Sequence, residues 1–206
     1  MITIIDYGAG NLFSVQNALR FLGFESRISK CADDLRDGSK LILPGVGAFP
    51  DAMDKLGKSG LTEVIKEEAK KKPLLGICLG MQVLFQWGYE FKETAGLGLI
   101  PGKVDLLKAP GLKIPHMGWN DVRSVNPCPL SEGVNPGDMV YFVHSYKAVT
   151  DEKYICLTSE HGQPIPALVT DGSGLVYGCQ FHPEKSGSVG LNILKNFAAL
   201  KGDSSL

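Results

Sequence analysis

Apolar positions in the first ninety residues fall into two alternating rhythms. Residues 2–5, 24–29 and 40–43 are short apolar or alternating runs that read as strands, and Leu74 to Cys78 forms another. Between the strands, Leu12, Val15, Leu19 and Leu22 recur at helical spacing, with Asn11 placed to cap the helix and Gly23 to stop it. Residues 51–56 give a short helical piece. Thr62 is placed to cap a better one, with Val64, Ile65 and Ala69 inward and Glu67 four residues before Lys71. This β-α-β-α order predicts a mostly parallel sheet with helices on both faces, whose sites lie beyond the carboxyl ends of the strands. The second half has another texture. Residues 104–107, 141–146, 154–158, 165–169 and 175–181 read as strands separated by turns, part of them antiparallel, and Leu191, Leu194, Phe197 and Ala198 give a closing amphipathic helix. The proline-rich stretch 126–137 reads as a surface loop. With no repeat or linker in 206 residues, a single domain is expected over 1–206, ending in a flexible tail at 201–206.

Charge and cysteine usage narrow the partners. The 21 basic and 22 acidic residues nearly cancel, so capture of nucleic acid or of an anionic membrane is not expected. Five cysteines without paired short spacings suggest neither a disulfide framework nor a metal site. The chain opens directly into Ile2 without a basic leader, and no apolar run reaches the roughly 20 residues of a membrane helix. A cytoplasmic protein is expected.

The candidate chemistry starts at Cys78. The run Leu74-Leu75-Gly76-Ile77-Cys78-Leu79-Gly80-Met81-Gln82 reads as a buried strand that turns within one residue into a helix, with glycines two before and two after the cysteine. That is the spacing of a nucleophile elbow, with sulfur in place of the serine oxygen. The glycines let two backbones approach closely, and the start of the helix favours a thiolate. A buried core thiol is the commoner fate of an isolated cysteine, so this reading needs a base elsewhere. Among His116, His144, His161 and His182, the last stands out: in Phe181-His182-Pro183-Glu184 an apolar strand runs out onto an imidazole two residues before a carboxylate. If the extended geometry continues, both side chains share a face, and Glu184 orients His182. An oxyanion hole would combine the Leu79 N–H with the Pro44-Gly45-Val46-Gly47 loop at a neighbouring strand end. The Gly8 and Gly10 loop lacks the third glycine of a dinucleotide fingerprint, since Phe13 stands there.

The elbow and the His-Pro-Glu segment together resemble the triad class of glutamine amidotransferase domains. Further segments, Ile5 to Asn11, Pro44 to Phe49, His116-Met117-Gly118-Trp119-Asn120, Tyr141 to Tyr146 and Glu184 to Gly187, are similar to those of the glutaminase subunits of imidazole glycerol phosphate synthase. The resemblance implies one flavodoxin-like three-layer α/β domain with a partly antiparallel second half, no cofactor and no metal. It also implies that Cys78 attacks the side-chain amide of L-glutamine, that His182 protonates the departing ammonia, and that water hydrolyses the glutamyl thioester. Gln82, Glu90, Ser145 and Tyr146 would hold the amino-acid end of the substrate, with Val46, Gly47 and Leu79 around the oxyanion. The implied partner is a separate (β/α)8-barrel cyclase of histidine biosynthesis, joined as a heterodimer near Asn11, Trp119, Asn120 and Lys185. A gated site is expected too, in which the loop at Val46 and Gly47 rearranges when partner and acceptor are bound. The rival readings are an amidotransferase serving another acceptor pathway, a related cysteine hydrolase, and a non-catalytic binding module on the same scaffold.

Overall fold

The computed structural model describes residues 1–201, so the tail expected from residue 201 lies outside the described residues beyond Lys201 itself. The chain runs β1 (Ile2–Ile5), α1 (Leu12–Phe21), β2 (Ser26–Ser29), α2 (Ala32–Asp37), β3 (Lys40–Gly45), α3 (Phe49–Ser59), α4 (Thr62–Glu68), β4 (Leu74–Cys78) and α5 (Leu79–Gln82). It continues through β5 (Phe85–Gly88), β6 (Thr94–Ala95), β7 (Ile100–Leu106), β8 (His116–Ser124), β9 (Asp138–His144), β10 (Tyr146–Val149), β11 (Ile155–Glu160), β12 (Pro164–Thr170), β13 (Val176–Cys179) and α6 (Gly187–Ala199).

Nine strands form one sheet in the order β2-β1-β3-β4-β13-β12-β11-β8-β9. The five strands from β2 to β13 are parallel, and the four from β12 to β9 are antiparallel. This is the expected α/β sheet with a partly antiparallel second half. Alternation along each strand divides the core. In β3, Ile42 packs with Val15 and Leu19 of α1 and with Ile193, Leu194 and Phe197 of α6. Its neighbours Leu41 and Leu43 face the other way, onto Phe49 and Leu56 of α3 and Val64 and Ile65 of α4. The second face is shared with a four-stranded sheet, β10-β7-β5-β6, which contributes Phe85, Ile100, Val104 and Ala148. Among the described residues no helix is long and apolar enough to cross a membrane.

Several local expectations are corrected. Asn11 occupies the cap position of α1 but its side chain makes no capping bond, and α4 is capped at Leu61, so Thr62 is its first helical residue with a buried, unpartnered hydroxyl. Lys71 pairs with Glu68, one turn back at i−3, rather than with Glu67, and Lys72 reaches the same carboxylate at 2.7 Å from a nearly buried position. The loop expected over 126–137 holds a 3-10 turn, Pro129–Ser131, that buries Leu130. The helix expected after Cys78 is the single turn α5, after which the chain leaves for the second sheet.

That single turn lies flat on the strands beside it. A Cβ at Gly80 would overlap the Leu43 carbonyl oxygen, one at Gly76 would stand 2.6 Å from the Gly80 carbonyl oxygen, and one at Gly45 would stand 2.6 Å from the Gly80 nitrogen. Backbone, unlike a flexible side chain, cannot yield to the intrusion. Replacing Gly80 with alanine is therefore expected to cost about 3 kcal/mol of stability, the upper part of the range for overpacking, read as a lowered urea midpoint. A midpoint equal to the parent's would show that the turn is not held against the sheet.

Candidate active site

Strand register places Cys78 between its neighbours. β4 pairs β3 with Cys78 opposite Gly45, and it pairs β13 with Ile77 opposite Cys179. One residue further along, Val46 and Gly47 leave β3 on one flank of Cys78, and Gln180 leaves β13 on the other. Cys78 itself has φ 55° and ψ −111°, in the left-handed region that L side chains rarely adopt. The strain expected of an elbow is thus present at the one non-glycine residue that must present its side chain.

Around it opens a cleft of about 350 Å3, lined by Val46, Gly47, Cys78, Leu79, Gln82, Glu90, Ser145, Tyr146 and His182, together with Pro115, Val143 and His144. All the residues expected at the nucleophile, the oxyanion hole and the substrate contacts therefore meet at one cleft, except Glu184, which stands behind His182. The imidazole Nδ1 of His182 lies 2.9 Å from Glu184 Oε1, and the Glu184 side chain is 1% exposed. The geometry differs from the one expected: β13 ends at Cys179, and Glu184 sits in a 3-10 turn, Pro183–Lys185, rather than on an extended strand. The turn swings the carboxylate back under the ring. Ser186 fastens this arrangement, its hydroxyl donating to the His182 carbonyl and accepting the Tyr141 N–H.

Burial opposes charge on His182, but the Cys78 sulfur and the Glu184 carboxylate outweigh it and hold its pKa up at about 9. With Nδ1 facing the carboxylate, Nε2 is the atom left for the sulfur. It is buried, and the Cys78 sulfur lies close enough to favour the charged ring. Glu90 reaches the cleft from the loop after β5. Its Oε2 accepts the Phe49 N–H at 2.7 Å at the start of α3, so the carboxylate also anchors the helix that follows the Val46-Gly47 loop. Burial raises the Glu90 pKa against the Phe49 hydrogen bond.

The back of the cleft holds groups the sequence did not single out. Tyr146 O accepts from Gln82 Nε2 at 3.0 Å and from His144 Nδ1 at 2.9 Å. His144 Nε2 is 3.0 Å from His116 Nδ1, and His116 Nε2 is 3.1 Å from Asn120 Nδ2. A carbonyl can only accept, so His144 carries its proton on Nδ1 and each later link is fixed in turn. Burial and neighbouring imidazoles lower the pKa of His116 to about 4 and of His144 to about 3, leaving both neutral. Gln180, fully buried, sits between Gln82 and the Cys78 sulfur. It lies two residues before His182, and the i, i+2 alternation of the strand was the signal for it.

The four residues expected at a partner interface lie outside the cleft. Trp119 is 54% exposed, stacked edge-on to Tyr141 and beside Gly187, while α1, headed by Asn11, packs against the turn that exposes Lys185. Asn120 is committed inward, to His116 and to the Glu160 carbonyl at 2.7 Å. Among the described residues no group of three or more His, Cys, Asp or Glu side chains could hold a metal ion.

Residues 3–200 match the family described as glutamine amidotransferase class-I. The sequence is 49% identical to imidazole glycerol phosphate synthase subunit HisH of Bacillus cereus (strain B4264) over 198 residues, covering 96% of this chain and 93% of the relative. The chain belongs to the HisH family of class-I glutamine amidotransferases. A HisH relative from Caldanaerobacter subterraneus subsp. tengcongensis is 48% identical over 202 residues, with 97% of this chain and 98% of the relative covered. A solved glutamine amidotransferase shares the fold with TM-score 0.75 at 20% identity, over 97% of this chain and all of the other.

The site's titration sets a pH window for this HisH family member. His116 and His144, lowered from the ordinary 6.5, leave protons to the unfolded state, so their burial destabilises the fold as pH falls below 6.5, through about 4 for His116 and about 3 for His144. His182, raised to about 9, contributes stability that is complete below 6.5 and lost as pH rises through 9. The urea midpoint is expected to peak near neutrality and fall on both sides, with His182→Gln flattening the alkaline limb alone. A parent profile that is flat across this range would contradict these assignments.

Proposed function

We propose that this chain is the glutaminase subunit of imidazole glycerol phosphate synthase, hydrolysing L-glutamine and passing ammonia to a separate (β/α)8-barrel cyclase in histidine biosynthesis. The observation that carries the reading is that Cys78 and His182 meet at one cleft, with Glu184 bonded behind the imidazole, in a chain nearly half identical to HisH. With the proton already held on His182, Cys78 reacts as a thiolate and attacks the amide carbon. Negative charge gathers on oxygen beside Leu79 and the Val46-Gly47 loop. Collapse of the intermediate transfers the proton from His182 to the leaving nitrogen, releasing ammonia and a thioester. Water, activated by the same imidazole, then releases glutamate. Glu184 keeps the ring oriented and supports its charge throughout.

Gln82, Glu90, Ser145 and Tyr146 hold the amino-acid end of glutamine. Ammonia that escaped into bulk water would mostly protonate and be lost to an acceptor, which favours a sealed junction with the cyclase. We place that junction at the surface carrying Asn11, Trp119 and Lys185, where an exposed indole lies close to a lysine-bearing turn, with Asn120 supporting it from behind.

The test uses the chain together with its barrel cyclase. Cys78→Ala is expected to abolish glutamine-dependent synthesis while ammonia-dependent synthesis by the complex persists. Retained glutamine turnover would remove Cys78 from the mechanism. Glu184→Gln should lower kcat by about a hundredfold or more with KM little changed, as expected when an imidazole loses its orienting carboxylate. Without the cyclase, the parent chain is expected to turn over glutamine far more slowly than the complex, and equal rates would end the gating reading.

A further inference from the structure

We propose that Gln180 is a further catalytic residue, whose carboxamide donates an N–H to the Cys78 sulfur and holds it as a thiolate aimed into the cleft. This rests on Cys78 being the nucleophile. Gln180 Nε2 lies 3.8 Å from Cys78 Sγ, within reach for a sulfur acceptor, and the residue has no exposed surface. Gln180 Oε1 accepts from Gln82 Nε2 at 3.0 Å, and Gln82 Nε2 also donates to Tyr146 O at 3.0 Å.

The orientation of the Gln180 amide follows from hydrogen-bond logic. Tyr146 O is an obligate acceptor, so the amide nitrogen of Gln82 must face it. The same nitrogen faces Gln180, which must answer with its oxygen. Its NH2 group is then left for the sulfur, and turning either amide over would bring donor against donor or acceptor against acceptor. On the other side, the Cys78 thiol points at the Val143 carbonyl oxygen, 3.9 Å away. That carbonyl accepts from a thiol but repels a thiolate. Gln180 supplies the opposing donor, so proton loss to His182 leaves a sulfur that still has a hydrogen-bond partner.

The test follows iodoacetamide alkylation of individual cysteines by peptide mass in the full chain, for the parent, Gln180→Met and Gln180→Asn. Methionine keeps the length and lacks the donor, and asparagine keeps the donor but withdraws it by one methylene. In both variants the Cys78 rate at pH 7 is expected to fall about tenfold, the low end for a hydrogen bond to a charged group. At pH 10, where thiols ionise unaided, it should match the parent's. Exposed Cys31 provides the reference and fully buried Cys179 reports unfolding. Equal slowing at both pH values, or no slowing at either, overturns the proposal. So does exposure of Cys179 in both variants, which would make Gln180 a core support only. A separate arm assays glutamine hydrolysis by the parent after Cys78 is alkylated. Activity surviving there would refute the nucleophile reading itself, whatever the variants show.

Discussion

Everything at the cleft depends on how closely the backbone of α5 lies against the backbones of β3 and β4. The Gly80 peptide occupies space that a single methyl group would take from the Leu43 carbonyl, and Gly45 and Gly76 clear the rest of the contact. Because the turn cannot lift away without opening a void over the sheet, Cys78 is forced to φ 55° and its sulfur is turned toward the strand ends instead of being packed between them. Packing on both faces of the sheet supplies the stability that holds one residue in a conformation it would not adopt alone.

Once the turn is seated, parallel register does the remaining placement. Neighbouring strands that run the same way end at the same height, so the residues leaving β3 and β13 arrive on either side of the sulfur without any long-range adjustment. Electrostatics then separate the imidazoles. His182 faces a carboxylate and a thiol and is held up at about 9, while His116 and His144 are buried against aromatic and imidazole rings and stay uncharged. Three histidines within one small region are thus pushed in opposite directions, decided by whether an anion is in contact.

The elbow, the parallel half of the sheet and the His182-Glu184 pair were legible because each is written locally, in glycine offsets, solid apolar runs and adjacent residues. What escaped reading depends on non-local partners. β8 has an inverted pattern: Met117 and Trp119 are exposed at 63% and 54%, while His116 is buried, so polarity alternates against the usual sense. β5 and β6 are too short for periodicity to register, and they gain strand form only by pairing with β7 and one another. The helix foreseen beyond Cys78 stopped after one turn for a similar reason, since Val83 to Phe85 bond to residues 97–100 instead of extending it. Gln180 was in plain view two residues before His182, yet the hydrogen-bond chain that orients it runs through Gln82 and Tyr146, which lie about 98 and 34 residues away in the chain.

The two walls of the cleft differ in freedom. On one, the Tyr146 carbonyl is gripped by both Gln82 and His144, and the Ser145 carbonyl is held by the Leu107 N–H at 2.8 Å, so that wall behaves as a fixed jaw. On the other, Gly47 has φ 106° with nothing within 4 Å of where a β-carbon would sit, and the adjoining Val46 side chain is half exposed. Space is open beside the Gly47 backbone there. Under the gating proposed above, recognition of shape would fall to the anchored jaw and timing to the open one, so a molecule seated against the first would be fully bound before the second committed it to react.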